Sequence, residues 1–142
     1  PGCTAAQVIA ATDFIMPAVE VIDSRYENFR FDLVSVIADN ASSSRFFTGG
    51  QVLEPMATDM RTIGVVLEKN GQVMEVGASA AVLGNPATAI AMLANQLAER
   101  DVSIPAGSII LSGAITAAIP VESGDNVTLR AHGMGSVSMR FV

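Results

Sequence analysis

Two long stretches without a charged residue, Val76 to Ala98 and Val102 to Val121, most constrain what this chain can fold into. By length alone each would cross a bilayer, which takes about 20 apolar residues in a helix. Both are interrupted. The first contains Gly84-Asn85-Pro86, which is how a helix begins and not how one continues, because proline lacks the N–H that a helix interior uses. The second contains Pro105-Ala106-Gly107-Ser108 and Ser112-Gly113. Neither has the basic flank that orients a span. The expectation is no membrane segment, with both stretches buried in protein.

The rest of the composition agrees. Half of the residues are apolar and 15% are charged, where a soluble domain carries roughly 25%. A disordered chain would show the opposite balance. Cys3 is the single cysteine, which excludes a disulfide scaffold and suits a reducing compartment, so a cytoplasmic location is expected. No secretory leader is visible. A net charge of -6, with Lys69 the sole lysine, argues against a partner that must be held through its phosphates, so no nucleic acid is expected.

Local patterns predict mostly strand with two or three short helices. Thr4 to Ile15 reads as a helix ended by Pro17. Val19 to Ile22 is a β-branched strand, Asp23-Ser24-Arg25 a polar loop, and Leu33 to Ala38 a short helix or turn. Asp39 to Ser44 is a loop of small hydrogen-bonding residues, followed by a strand from Arg45 to Thr48 and the pair Gly49-Gly50. Asn70-Gly71, between strand patterns at Thr62 to Leu67 and Gln72 to Val76, marks a type I′ hairpin, because both residues tolerate positive φ. Asn85 caps a helix with Pro86 at its first position and an apolar stripe of Ile90, Leu93, Ala94 and Leu97. Further strands are expected at Ser108 to Leu111, Asn126 to Ala131 and Ser136 to Phe141. There is no βαβ alternation. The fold class is therefore α+β: a mixed or antiparallel sheet folded as a sandwich or roll, in one domain over residues 1–142.

Glu20 is the most informative side chain. A carboxylate inside an apolar strand is costly unless it is exposed, paired or bound to a metal. Its strand face is opposite to that of Val19 and Val21. Solvent exposure, or a pair with Arg25, would account for it. A hard divalent cation, Mg²⁺ or Mn²⁺, would also suit a carboxylate-only site. The loop Asp39-Asn40-Ala41-Ser42-Ser43-Ser44 offers hydroxyls and backbone N–H groups to a substrate carboxylate, or is simply a polar turn. His132 has no second histidine or nearby cysteine and cannot build a zinc site. Cys3 lacks a neighbouring base and is a weak nucleophile candidate.

Pro17 to Arg25, reading PAVEVIDSR, and Ala38 to Ser44, reading ADNASSS, resemble the hydratase/decarboxylase family of aromatic meta-cleavage catabolism, within the fumarylacetoacetate hydrolase superfamily. Pro105 to Gly113, Gly124-Asp125 and Gly135 to Ser138 resemble the superfamily's C-terminal signature. Val21 to Tyr26 and Ser44-Arg45-Phe46 are more similar to the decarboxylase branch than to the hydratase branch. The resemblance implies a cytoplasmic homo-oligomer acting on a 2-oxo dicarboxylic acid, with a possible complex between decarboxylase and pathway hydratase. It implies metal-dependent loss of CO2 from 2-oxo-3-hexenedioate, or in the alternative hydration of a 2-oxopentenoate. Glu20 matches the third metal carboxylate, with Mg²⁺ or Mn²⁺ as a Lewis acid on the 2-oxo group. Asn40 and Ser42 are the expected polar contacts to substrate.

The chain departs from that pattern. The family's first two metal carboxylates form a Glu-x-Glu pair ahead of the PAVE motif, and no Glu-x-Glu occurs here. The catalytic lysine and aspartate of the family have no counterpart, since Lys69 sits beside the hairpin turn. Ala114 stands where other branches carry a hydroxyl. The expectation is a C-terminal catalytic-domain fragment of a longer chain, inactive alone, or else a non-catalytic assembly domain.

Overall fold

The computed structural model describes residues 2–142. Helix α1 spans Ala5–Ala10 and starts with a reciprocal cap, in which the Thr4 hydroxyl accepts from the Gln7 N–H while the Gln7 side chain accepts from the Thr4 N–H. The helix is shorter than predicted. The Thr12 hydroxyl donates to the Val8 carbonyl at 2.7 Å, and the chain then extends so that Ile15 and Leu53 exchange backbone hydrogen bonds at 3.0 and 2.9 Å. Tertiary pairing, not Pro17, ends it.

Two antiparallel sheets follow. Strands β1 (Ala18–Ile22) and β2 (Ser43–Thr48) form the smaller one, with α2 (Leu33–Ala38) in the connection between them. The larger has the order β4-β3-β5-β6, built from β3 (Gly64–Lys69), β4 (Gln72–Ala78), β5 (Asn126–Ala131) and β6 (Gly135–Arg140). Asn70 and Gly71 both have positive φ, 53° and 80°, as the hairpin required. Alternation along the larger sheet sends Val65, Leu67, Val127, Leu129, Ala131, Val137 and Met139 to one buried face. Thr128 bonds Ser138 and Arg130 pairs with Glu68 on the other face. Val19, from β1, packs against that core, which places the small sheet over the large one. Helix α3 (Pro86–Ala98) begins at Asn85, whose side chain accepts from the Ala87 N–H. It packs on α1 through Val8, Ala87 and Ala91.

Two expectations need correction. Ser108 to Leu111 is not a strand, and no strand occurs from 102 to 123. The segment crosses the core face of β4 near Gly77, where an added Cβ would lie 2.8 Å from the Ile115 carbonyl. A backbone lying over a sheet face cannot share its ladder. Nor is either uncharged stretch uniformly buried: in the first, Val76, Leu83 and Met92 are exposed. In the second, Ile115, Ile119 and Val121 lean on the core, while Val102, Ile109 and Leu111 are exposed. Among the described residues no helix is long and apolar enough to cross a membrane.

Candidate functional site

Strand β1 forms because its alternate residues have somewhere to go. Val19 leans into the core, and Glu20 faces the opposite way, paired across the ladder with Phe46. On its own face Glu20 is exposed. Strand β1, Glu20 included, borders an opening of about 980 Å³ that runs along the core face of the large sheet to the irregular segment carrying Ser108 and Ser112. Glu20 makes no salt bridge among the described residues.

The arginine that might have neutralised Glu20 is engaged elsewhere. The Arg25 guanidinium donates to the Asp39 carboxylate and to the Asp39 carbonyl. Asp39, only 6% exposed, also accepts from the Arg25 N–H at 3.2 Å, the Ser24 hydroxyl at 3.4 Å and the Ser42 hydroxyl at 3.2 Å. Burial by itself would push the Asp39 carboxyl up. The Arg25 N–H and guanidinium and the Ser42 hydroxyl outweigh that effect and hold it below the ordinary carboxylate value. The Asp23 N–H donates to the Ser42 carbonyl at 2.8 Å and adds a backbone tie. Asp39 therefore fastens the loop after α2 to the end of β1. Sequence reading placed Asp39 in the polar loop but missed this partnership. The partners are 14 residues apart, and no local pattern marks the pair.

The loop so fastened is unusual. Asn40, Ala41 and Ser42 all have φ between 53° and 59°, left-handed backbone that costs a non-glycine residue about 1–2 kcal/mol. Asn40 is exposed, while Ser42 is 2% exposed with its hydroxyl proton given to Asp39. Neither belongs to the lining of the Glu20 cleft, although Ile22 does, and Ile22 pairs with Ser43 across the ladder. The loop adjoins the Ile22 end of β1 and lies outside the cleft lining.

The other candidates take structural places. Lys69 donates to the Pro120 carbonyl at 3.1 Å and lies 3.6 Å from Asp125. The backbone N–H of His132 donates to the Gly64 carbonyl. The backbone of Cys3 is held from both sides by the Asn95 side chain.

No group of three or more His, Cys, Asp or Glu side chains among the described residues is arranged to hold a metal ion. Glu20 offers one carboxylate, and a Mg²⁺ ion that demands six oxygens in near-octahedral geometry is not caged by one. By themselves the residues present do not fit a resident cation, and further donors have to come from outside this set.

Residues 15–142 match the family model described as fumarylacetoacetate (FAA) hydrolase C-terminal. The whole chain is 66% identical to 4-oxalocrotonate decarboxylase of Pseudomonas sp. (strain CF600), of which it covers 54%. It is 39% identical, again over its whole length, to 2-oxo-hept-4-ene-1,7-dioate hydratase of Escherichia coli, of which it covers 55%. Among solved structures, 4-oxalocrotonate decarboxylase from Pseudomonas putida G7, complexed with magnesium and adipate, superposes with a TM-score of 0.96 at 62% identity over 100% of this chain and 54% of that one. The chain spans about half the length of these relatives. An antiparallel pair of sheets, an unneutralised carboxylate on a strand that borders a cleft, and a match running from Ile15 to the last residue lead to one assignment: the chain belongs to the fumarylacetoacetate hydrolase family, as its C-terminal domain.

Proposed function

We propose that this chain is the cleft-forming part of a 4-oxalocrotonate decarboxylase, a carboxy-lyase that converts 2-oxo-3-hexenedioate to 2-hydroxypenta-2,4-dienoate and CO2 in aromatic meta-cleavage catabolism. The observation that carries the reading is Glu20, an exposed carboxylate in no salt bridge among the described residues, on an otherwise apolar strand that borders a cleft. The 66% identity to a decarboxylase over the full chain supports the choice of reaction.

In this reading Glu20 is one of several carboxylates that hold Mg²⁺ or Mn²⁺, the others lying outside this chain. The β1–β2 ladder fixes its height in the cleft. Asn40 and Ser42 supply polar contacts to the dicarboxylate. Asn40 is exposed and free to do so, whereas Ser42 must first break the hydrogen bond it donates to Asp39. In the reaction the bond to the departing carboxylate breaks, and its electron pair moves through the double bond to the 2-oxygen. Homo-oligomer formation, and a complex with the pathway hydratase, are supported by the exposed apolar side chains of α2, with Leu33 at 73% and Val34 at 75% exposure. A cytoplasmic location is supported by the single unpaired cysteine.

The test is Glu20→Gln in the full-length protein, with Mg²⁺ affinity measured by calorimetry and CO2 release measured from 2-oxo-3-hexenedioate. Both are expected to fall by about tenfold or more, the range seen when a metal site loses a supporting group. Unchanged affinity and turnover would remove Glu20 from the site. The 39% identity to a hydratase favours hydration as the second reading. Hydration of 2-hydroxypenta-2,4-dienoate with no CO2 released from the dicarboxylate would establish it.

A further inference from the structure

The Arg25–Asp39 pair does more than neutralise a buried charge. Glu20 and Asn40 are held by different means. Glu20 is set by the backbone ladder between β1 and β2. The left-handed Asn40-Ala41-Ser42 turn has no ladder partner. What holds it is Asp39, through the Arg25 guanidinium, the Arg25 N–H and the Ser42 hydroxyl, together with the Asp23 N–H on the Ser42 carbonyl. Three consecutive non-glycine residues in left-handed backbone persist only where surrounding contacts over-determine them.

We infer that Arg25 and Asp39 are positioning residues: the ion pair holds the Asn40 loop against the Ile22 end of the strand that carries Glu20, ready for a dicarboxylate, without helping to hold the cation. The inference rests on the site reading above and adds to it a division of labour between strand and clamp. A guanidinium fork suits this task because it engages the carboxylate and the carbonyl of one residue together, which an ammonium on a flexible stem does not. The Arg25 side chain is 56% exposed, so replacing it leaves no cavity in the core.

The discriminating measurement is a pair of titrations on the full-length protein, Mg²⁺ alone and then adipate in the presence of saturating Mg²⁺, for wild type, Arg25→Lys, Asp39→Asn and Glu20→Gln. Arg25→Lys is expected to keep its Mg²⁺ affinity within about twofold and to lose adipate affinity by about tenfold, in the range for lost supporting partners. Asp39→Asn should do the same where it folds; Arg25→Lys decides the matter where it does not. Arg25→Lys that binds adipate as wild type does, or that loses Mg²⁺ and adipate in equal measure, would overturn the inference. Glu20→Gln separates this from failure of the site reading itself. If that variant binds Mg²⁺ as wild type does, the cleft is not the cation site and the positioning role falls with it. If it loses Mg²⁺ while Arg25→Lys leaves adipate untouched, the site stands and the clamp alone is refuted.

Discussion

Gly50→Ala is the substitution whose cost follows most directly from backbone geometry. Gly50 closes the connection after β2 with φ 71°, and a methyl group on its Cα would lie 2.1 Å from the Met134 carbonyl oxygen and 3.0 Å from Pro17 Cγ. Two penalties add. An alanine in left-handed backbone costs about 1–2 kcal/mol. The Met134 carbonyl cannot step aside freely, because it accepts from the Gln51 N–H at 2.7 Å. Moving it gives up a hydrogen bond with a net value of about 0.5–1.5 kcal/mol. Together they cost about 1.5–3.5 kcal/mol. Gly71→Ala is the control: φ is 80°, but nothing lies within 4 Å of the new methyl, so only the conformational penalty applies. Urea unfolding followed by far-ultraviolet circular dichroism reads both. With a slope of about 2 kcal/mol/M, Gly50→Ala should lower the midpoint by about 0.8–1.8 M and Gly71→Ala by about 0.5–1 M. Equal shifts in the two variants would refute the steric argument. A shift for Gly50→Ala below about 0.25 M would refute the conformational one as well.

Two further outcomes are expected. Asn95→Ala should cost about 1–3 kcal/mol, because the Asn95 side chain accepts from the Cys3 N–H at 2.8 Å and donates to the Cys3 carbonyl at 3.0 Å; faster amide exchange in α1, with the large sheet unchanged, would locate the loss. Acid should destabilise the fold. The carboxyl of Asp59 is held at about 2 by the Arg61 side chain, that of Asp125 is lowered by Asn70, and that of Asp39 is lowered by Arg25 against the opposing effect of burial. Groups depressed in the folded state contribute stability above their unfolded value near 3.8 and lose it as pH falls toward the folded value. Urea midpoints should therefore be flat above about pH 5 and drop between about pH 4 and pH 2, with a shallower drop in Asp39→Asn.

Much of this architecture is legible in short windows. The Asn70-Gly71 turn, the Asn85-Pro86 helix start, and strands β5 and β6 follow from positive-φ tolerance, capping and alternation, all properties of a few adjacent residues. Leu33–Ala38 is a helix because Asp32 caps it, the side chain accepting from the Ser35 N–H at 2.8 Å. The alternation in β1 was enough to point Glu20 away from the core.

Contacts between distant segments decided the rest. Which acid Arg25 would meet was open in the sequence, and the fold chose Asp39 over Glu20, leaving Glu20 unneutralised at the cleft. The end of α1 depended on Leu53, and the apolar run at Ser108 to Leu111 failed to become a strand in a segment that goes on, at Ile115, to cross the face of β4 and not to pair with an edge. The physical reason is common to all three. Propensity and periodicity act within a turn or a strand, whereas the choice of a charge partner, a ladder partner or a covered face is made in three dimensions, where the competing options differ by a few hydrogen bonds.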